Sequence, residues 1–161
     1  MKVIILLISM TMIMLLTGGC SVEQTENGVR VHEVYSIGER AEYGNLAITV
    51  RGIRMEYSQN NERVLIIDSL IENAGNSDFA VSIPSMFALF DRYHYSMDQA
   101  LMVELRGDLN AIISPGRKVA GEIAYVIDEK ASDWNFVFAP RSFGLNEVVF
   151  QITKENLASV K

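Results

Sequence analysis

The sequence predicts an all-β protein: an antiparallel β-sandwich of about seven to nine short strands with Greek-key links, at most one short helix, and a signal peptide ahead of it. Three observations carry this. Between Leu46 and Ile152 apolar residues recur mostly at every second position, the period of a half-buried strand. Clusters of Gly, Asn, Ser, Asp and Pro punctuate those runs at short intervals. The N-terminus instead carries an apolar run that ends at the only cysteine, Cys20.

The chain has 161 residues and a formal charge of −6. That length fits one domain. Lys2 is the only charged residue before Cys20, so the chain from Cys20 onward holds 13 basic against 20 acidic side chains, a charge of −7. Its charges are dispersed, with no run of Lys or Arg. A nucleic-acid footprint needs a clustered basic face, so no nucleic-acid partner is expected. A polybasic membrane patch is excluded on the same ground.

Met1-Lys2, the apolar stretch Val3–Leu16 and the small residues Thr17-Gly18-Gly19 follow the order of a signal peptide. The run is short of the ~20 residues that span a bilayer. It has no polar face, which argues against a buried amphipathic helix. Residues 17–20 resemble the lipobox of bacterial lipoproteins, with Thr17 standing where that pattern prefers Leu. The resemblance implies cleavage between Gly19 and Cys20 and a diacylglycerol thioether on Cys20. It also implies a membrane partner: the protein is lipid-anchored on the extracytoplasmic side, at the outer membrane if the host has one. The domain plan is then a lipoprotein signal peptide (1–19), a lipidated N-terminus and flexible tether (20–34), a β-sandwich (35–153) and a polar tail (154–161). The polar spacer after Cys20, about eight residues long, reaches at most ~3.3–3.6 Å per residue.

Val29–Ile37 alternates loosely and is a weak first strand or an extended part of the tether. Turns are expected at 37–39 and 43–45. Leu46, Ile48 and Val50 share one face of a strand, and Ile53, Met55 and Tyr57 continue on the shifted parity. A glycine at the phase change, Arg51-Gly52, marks a β-bulge or a bend between two strands. Val64–Ile71 is apolar on both parities, as a strand covered on both faces is. Asp68 interrupts it and is expected at a sheet edge or paired with an arginine.

Residues 72–78 form a turn. Short strands follow at Phe79–Ile83, stopped by Pro84, and at Met86–Phe90. Met97–Gly107 has some helical composition and is read as a short helix or a loop over the sandwich end. Ser114-Pro115-Gly116-Arg117 fits a type II turn. Val119 to Ile127 alternates cleanly. Trp134, Phe136 and Phe138 form an aromatic stripe that suits a sandwich core better than a ligand strip. Val148, Phe150 and Ile152 close the domain.

Gly44–Val50, Ile66-Ile67-Asp68, Glu72–Gly75, Phe87–Asp91, Ser114-Pro115-Gly116 and Gly121-Glu122-Ile123 together resemble the DUF4352 family. This resemblance implies an immunoglobulin-like fold akin to secreted bacterial antigens, a cell-envelope location and no agreed activity. Asp91-Arg92-Tyr93-His94-Tyr95 departs from the family's Asp-x-x-Gly-x-x-Tyr hairpin by lacking the glycine.

Catalytic inventory is sparse. His32 and His94 are the only histidines. No phosphate loop, nucleophile elbow or His-Glu-x-x-His is present, and no cofactor is called for. His94 with Asp91 and Asp98 is at most a weak metal site. The expected role is therefore non-catalytic: a membrane-anchored binding module for an envelope protein or glycan, or a structural or assembly component of an envelope complex.

Overall fold

The structure, a computed structural model, describes residues 33–128, 130–140 and 147–158. Among these the chain forms β1 (Glu33–Tyr35), β2 (Arg40–Tyr43), β3 (Leu46–Tyr57), β4 (Arg63–Asn73) and β5 (Phe79–Ala80). A one-turn helix, α1 (Ile83–Met86), leads into β6 (Phe87–Asp91) and, further on, β7 (Ile112–Ile113). Then come β8 (Lys118–Val126), β9 (Asp133–Phe138), β10 (Val148–Thr153) and α2 (Lys154–Ala158). One sheet has the order β1-β10-β9-β6, the other β2-β3-β4-β8, and β5 pairs with β7 alone. The pairs are antiparallel apart from β1 with β10.

The core lies between the two four-stranded sheets. Trp134, Phe136 and Phe138 point into it from β9, and Phe150 and Ile152 from β10. Leu65, Ile67 and Ile71 meet them from β4, and Ile123, Tyr125 and Ile127 from β8 and its exit. Phe87 stacks on Phe136 with ring centroids 5.6 Å apart. The aromatic stripe is thus core.

β3 is one strand, and its register slips between Val50 and Gly52, leaving Arg51 as the extra residue. That insertion keeps Ile53 on the same inner face as Ile48 and Val50 although the sequence parity changes. The expected type II turn is present: Arg117 N–H donates to Ser114 O at 3.0 Å, and Gly116 takes φ +71°.

Several expectations need correction. Two short helices occur, not at most one. Pro84 opens the first turn of α1 instead of merely ending a strand, because a helix start needs no N–H there. Residues 154–158 are helical, and Leu157 packs on the core, which the reading of a polar tail missed. β1 takes residues 33 and 34 from the stretch assigned to the tether. No helix forms within Met97–Gly107.

That last segment is a strap. It runs along the free edge of β8: Val126 N–H donates to Asp98 O at 2.8 Å, Ala100 N–H to Ala124 O at 2.9 Å, and Glu122 N–H to Arg106 O at 3.1 Å. Between these bonds it swings across the outer face of the sheet, where Gln59 N–H donates to Met102 O at 2.9 Å. Ala100 and Val103 cover Val64, Ile66 and Ala124. The strap explains why β4 is apolar on both parities.

Candidate functional site

The register fixes which end of the sandwich receives the chain. Glu33 lies opposite Val148, so the chain enters where β10 begins and β9 finishes. Tyr43 packs edge-on to Phe138 at 6.4 Å, which puts the β2–β3 turn at the same end. The other end carries the β3–β4 hairpin (58–62), the turn after β6 and the link from β8 to β9. β3 has 12 residues, so the two ends lie roughly 35 Å apart.

Exposed apolar bulk gathers at the far end. Tyr93 is 63% exposed, Tyr95 70% and Leu101 88%, and Tyr57 and Met102 are more than half exposed. The bond from Gln59 to Met102 ties the strap to the hairpin that follows Tyr57. Tyr93 and Tyr95 stand on the turn that leads into the strap. Val34 and Ile112 are the exposed apolar residues elsewhere among the described residues, and Leu105 lies further along the strap.

The turn that carries the two tyrosines is tightly held. Asp91 Oδ1 accepts the N–H groups of Tyr93 at 2.8 Å and Tyr95 at 2.9 Å. Asp91 N–H donates to Tyr95 O, and His94 N–H to Asp91 O, both at 3.0 Å. His94 has φ +66°, the left-handed region that favours glycine. It takes glycine's conformation without being one. The Arg92 guanidinium lies 4.6 Å from the Tyr93 ring centroid and also donates to its hydroxyl.

A second polar cluster underlies the strap. Glu122 is 2% exposed. Its Oε2 accepts the Arg106 N–H at 2.8 Å, and its Oε1 accepts from the guanidinium groups of Arg106 and Arg54. Burial by itself would raise this carboxyl; the Arg106 and Arg54 groups outweigh burial and hold it below the usual carboxylate range. Gly107 and Gly121 let the backbones cross closely beside it, since a Cβ on Gly107 would stand 2.6 Å from Ala120 O. All of Glu122's bonds go to the sheet or the strap, so the cluster is a fastening. Asn73 plays a similar part at the near end, donating to Ser77 O and Ile113 O and accepting the Gly75 N–H.

Gly19 and Cys20, the expected cleavage and lipidation residues, lie outside the described residues, as does His32. Asp68 pairs with Arg51 at 2.5 Å, the arginine partner expected for it. No three of His, Cys, Asp and Glu converge as a metal site among the described residues. Asp91 uses an oxygen on its own turn. No helix among the described residues is long and apolar enough to cross a membrane. Sequence reasoning noticed Tyr93-His94-Tyr95 but not that Tyr57, Leu101 and Met102 lie at the same end of the sandwich; the surplus of apolar residues on a segment that makes no helix was the available signal.

Two facing four-stranded sheets joined in this order define a β-sandwich of the immunoglobulin-like class. The chain belongs to the family described as a domain of unknown function (DUF4352), which matches residues 35–152. It is similar in structure to the yjhA protein of Bacillus subtilis: TM-score 0.58, 20% identity, 73% of this chain and 98% of that one covered. It is also similar to the ycdA protein of Bacillus subtilis, provisionally assigned as a lipoprotein (TM-score 0.57, 17% identity, 72% of this chain and 38% of that one). MPT63, a secreted protein of Mycobacterium tuberculosis, aligns with TM-score 0.53 and 9% identity over 76% of this chain and 97% of that one. At these identities the likeness is one of fold. None of the curated proteins compared matches the chain.

Proposed function

We propose that the protein is a lipid-anchored cell-envelope lipoprotein whose sandwich is a non-catalytic binding module. Its working surface is the aromatic corner at the far end: Tyr57, Tyr93, Tyr95, Leu101 and Met102. The observation that carries this reading is the placement of these side chains. Exposed tyrosines supply large contact area at low entropic cost and recur at binding hot spots. Here they stand on a turn fastened by Asp91, and His94 holds a backbone conformation that costs about 1–2 kcal/mol in a residue other than glycine. The partner is an envelope protein or glycan, and the membrane is engaged through lipid on Cys20. A structural or assembly role uses the same corner if its partner is permanent.

Photo-crosslinking in intact cells tests this, with a photoreactive residue placed at Tyr93, Tyr95 or Met102 and, for comparison, at Asn45 or Asp78 at the near end. Discrete adducts are expected from the far corner alone. Adducts of equal yield from both ends, or none from the far end, would refute the assignment.

A further inference from the structure

A concavity of about 210 Å³ opens on the outer face of the β2-β3-β4-β8 sheet, where the strap meets β8. Arg51, Asp68, Arg106 and Glu122 line it, together with Ala120 and the close pair Gly107 and Gly121. The register assembles this set. Gly52 lies opposite Asp68 with Arg51 as the extra residue beside it, and Asp68 lies opposite Glu122. Arg106 arrives from the strap, its N–H bonded to Glu122. The two arginines are 55 positions apart in sequence (106 − 51) and share a site only in the fold.

Each arginine is pinned by one edge. Arg51 gives Nε and Nη2 to Asp68 Oδ1 at 3.2 and 2.5 Å, and Arg106 gives Nε and Nη2 to Glu122 Oε1 at 2.8 and 2.7 Å. The Nη1 group of each makes no hydrogen bond among the described residues. A guanidinium carries its donors in a rigid fork, so a carboxylate on one edge orients the donors left on the other. The cations stand outermost and the anions lie deeper: the side chains of Arg106 and Arg51 are 75% and 44% exposed, those of Asp68 and Glu122 28% and 1%. Arg54 also bonds Glu122, so three guanidinium groups meet the two carboxylates of the concavity; Glu56, which Arg54 bonds as well, does not line it. A domain that is acidic as a whole thus presents a local positive surplus here.

The bulge in β3 points to the same place. Without Arg51 plain alternation would still seat Ile53 on the inner face, so the core does not call for the extra residue. A bulge re-aims a side chain, and this one sets Arg51 at the concavity. We propose that the concavity binds a phosphate monoester, held between the free edges of Arg51 and Arg106. Such a group offers three terminal oxygens and close to two negative charges, against the two oxygens and single charge of a carboxylate. Two guanidinium forks are matched better by the first. This site lies on the outer face of the sandwich and depends neither on the far aromatic corner nor on the lipid anchor.

Glycerol 3-phosphate is a suitable probe, with acetate at matched ionic strength as its comparator. Each is titrated into the full chain while the amide signals of Gly107 and Gly121 are followed by NMR. Saturable shifts are expected with glycerol 3-phosphate, and acetate should bind roughly tenfold more weakly. Arg51→Gln and Arg106→Gln should each weaken glycerol 3-phosphate roughly three- to tenfold, the loss of one charged contact near solvent. Arg40→Gln, on the same face but outside the concavity, should leave its affinity unchanged. Ala120→Glu, which sets a carboxylate in the concavity, should abolish the shifts with both arginines present, and a thermal melt of each variant confirms that it is folded. Dihexanoyl phosphatidic acid, titrated in the same way, identifies the carrier. Binding much tighter than that of glycerol 3-phosphate assigns the phosphate to a lipid, equal or weaker binding assigns it to a soluble ester, and either supports the site. No saturable shift with glycerol 3-phosphate, equal binding of acetate, or undiminished affinity in both arginine variants would overturn the proposal.

Discussion

Glu122 is a carboxylate shut away from water on a sheet face that a strap covers. It persists as an anion because Arg54, Arg106 and a backbone N–H all meet it. Its folded-state value lies below the usual range. An unfolded glutamate titrates near ~4.3. The unfolded chain therefore binds the extra proton first as pH falls. The stabilisation is present in full above about pH 5 and is lost as pH drops through the folded value. Urea unfolding from pH 7 to pH 3 should show this decline, and Glu122→Gln should flatten its Glu122 component. At pH 7 the same substitution should destabilise by about 1–3 kcal/mol, because the amide cannot satisfy two guanidinium groups. Arg106→Ala should lose less than Arg54→Ala, since the Arg106 side chain is 75% exposed and screened by solvent. His94 makes an opposite case. His94→Gly should raise stability by about 1 kcal/mol by relieving the left-handed backbone, and a matching loss of crosslinking at Tyr93 would mark the strain as functional.

β3 works as one element because its bulge absorbs Arg51 as an extra residue. Arg51→Ala removes an exposed pair with Asp68 and should change stability by about 0–1 kcal/mol. Deleting Arg51 removes the bulge and restores plain alternation, with Ile53 still on the inner face opposite Ile67. The deletion should therefore leave the domain folded in circular dichroism, whereas inserting an alanine between Ile53 and Arg54, which turns Met55 outward, should destabilise it by about 1–3 kcal/mol. The strap has its own pin. Gly107→Ala forces a Cβ against Ala120 O in a left-handed backbone, and hydrogen exchange of the Glu122 N–H should quicken as Arg106 lifts away. The bulge was legible beforehand because a parity change and a glycine are local signals, and so were the Ser114–Arg117 turn and the alternation of β8. The strap was not. Leu101, Met102 and Leu105 have helical spacing, yet the segment is held by β8's edge groups and by Glu122, fifteen or more residues away in sequence. β2 was hidden for the same reason: four residues between two turns become a strand only through pairing with β3. The candidate corner was half legible, since the missing glycine flagged His94 while the approach of Met102 to Gln59 depends on the strap's path.

Taken as a whole, the molecule has a polar end where the chain enters and an aromatic end roughly 35 Å away. The near end presents Tyr43, Gly44, Asn45, Ser77 and Asp78 around a notch of about 210 Å³, with the Asn73 amide already spent. A short tether from Cys20 would hold that end toward the membrane and point the aromatic corner away from it. Electrostatics adds little to such anchoring: the chain from Cys20 onward carries −7, and its basic residues form no run in the sequence. Cys20→Ser, made with a conventional cleavable secretion signal in place of residues 1–19, should therefore leave the protein in the soluble fraction, because two or more acyl chains are what make such anchoring stable. Its denaturation midpoint should stay unchanged, since the sandwich starts at Glu33 and Cys20 belongs to none of its strands. Crosslinks from Tyr93 should fall in yield as the corner loses its fixed address, although the turn remains intact. Mass spectrometry of the mature N-terminus supplies the direct reading: a lipid-bearing Cys20 as first residue agrees, and an unmodified chain that still contains Gly19 does not. A protein of this kind, with Cys20→Ser and a conventional signal, that stays with the membrane through a high-salt wash would overturn the assignment of Cys20 as the anchor.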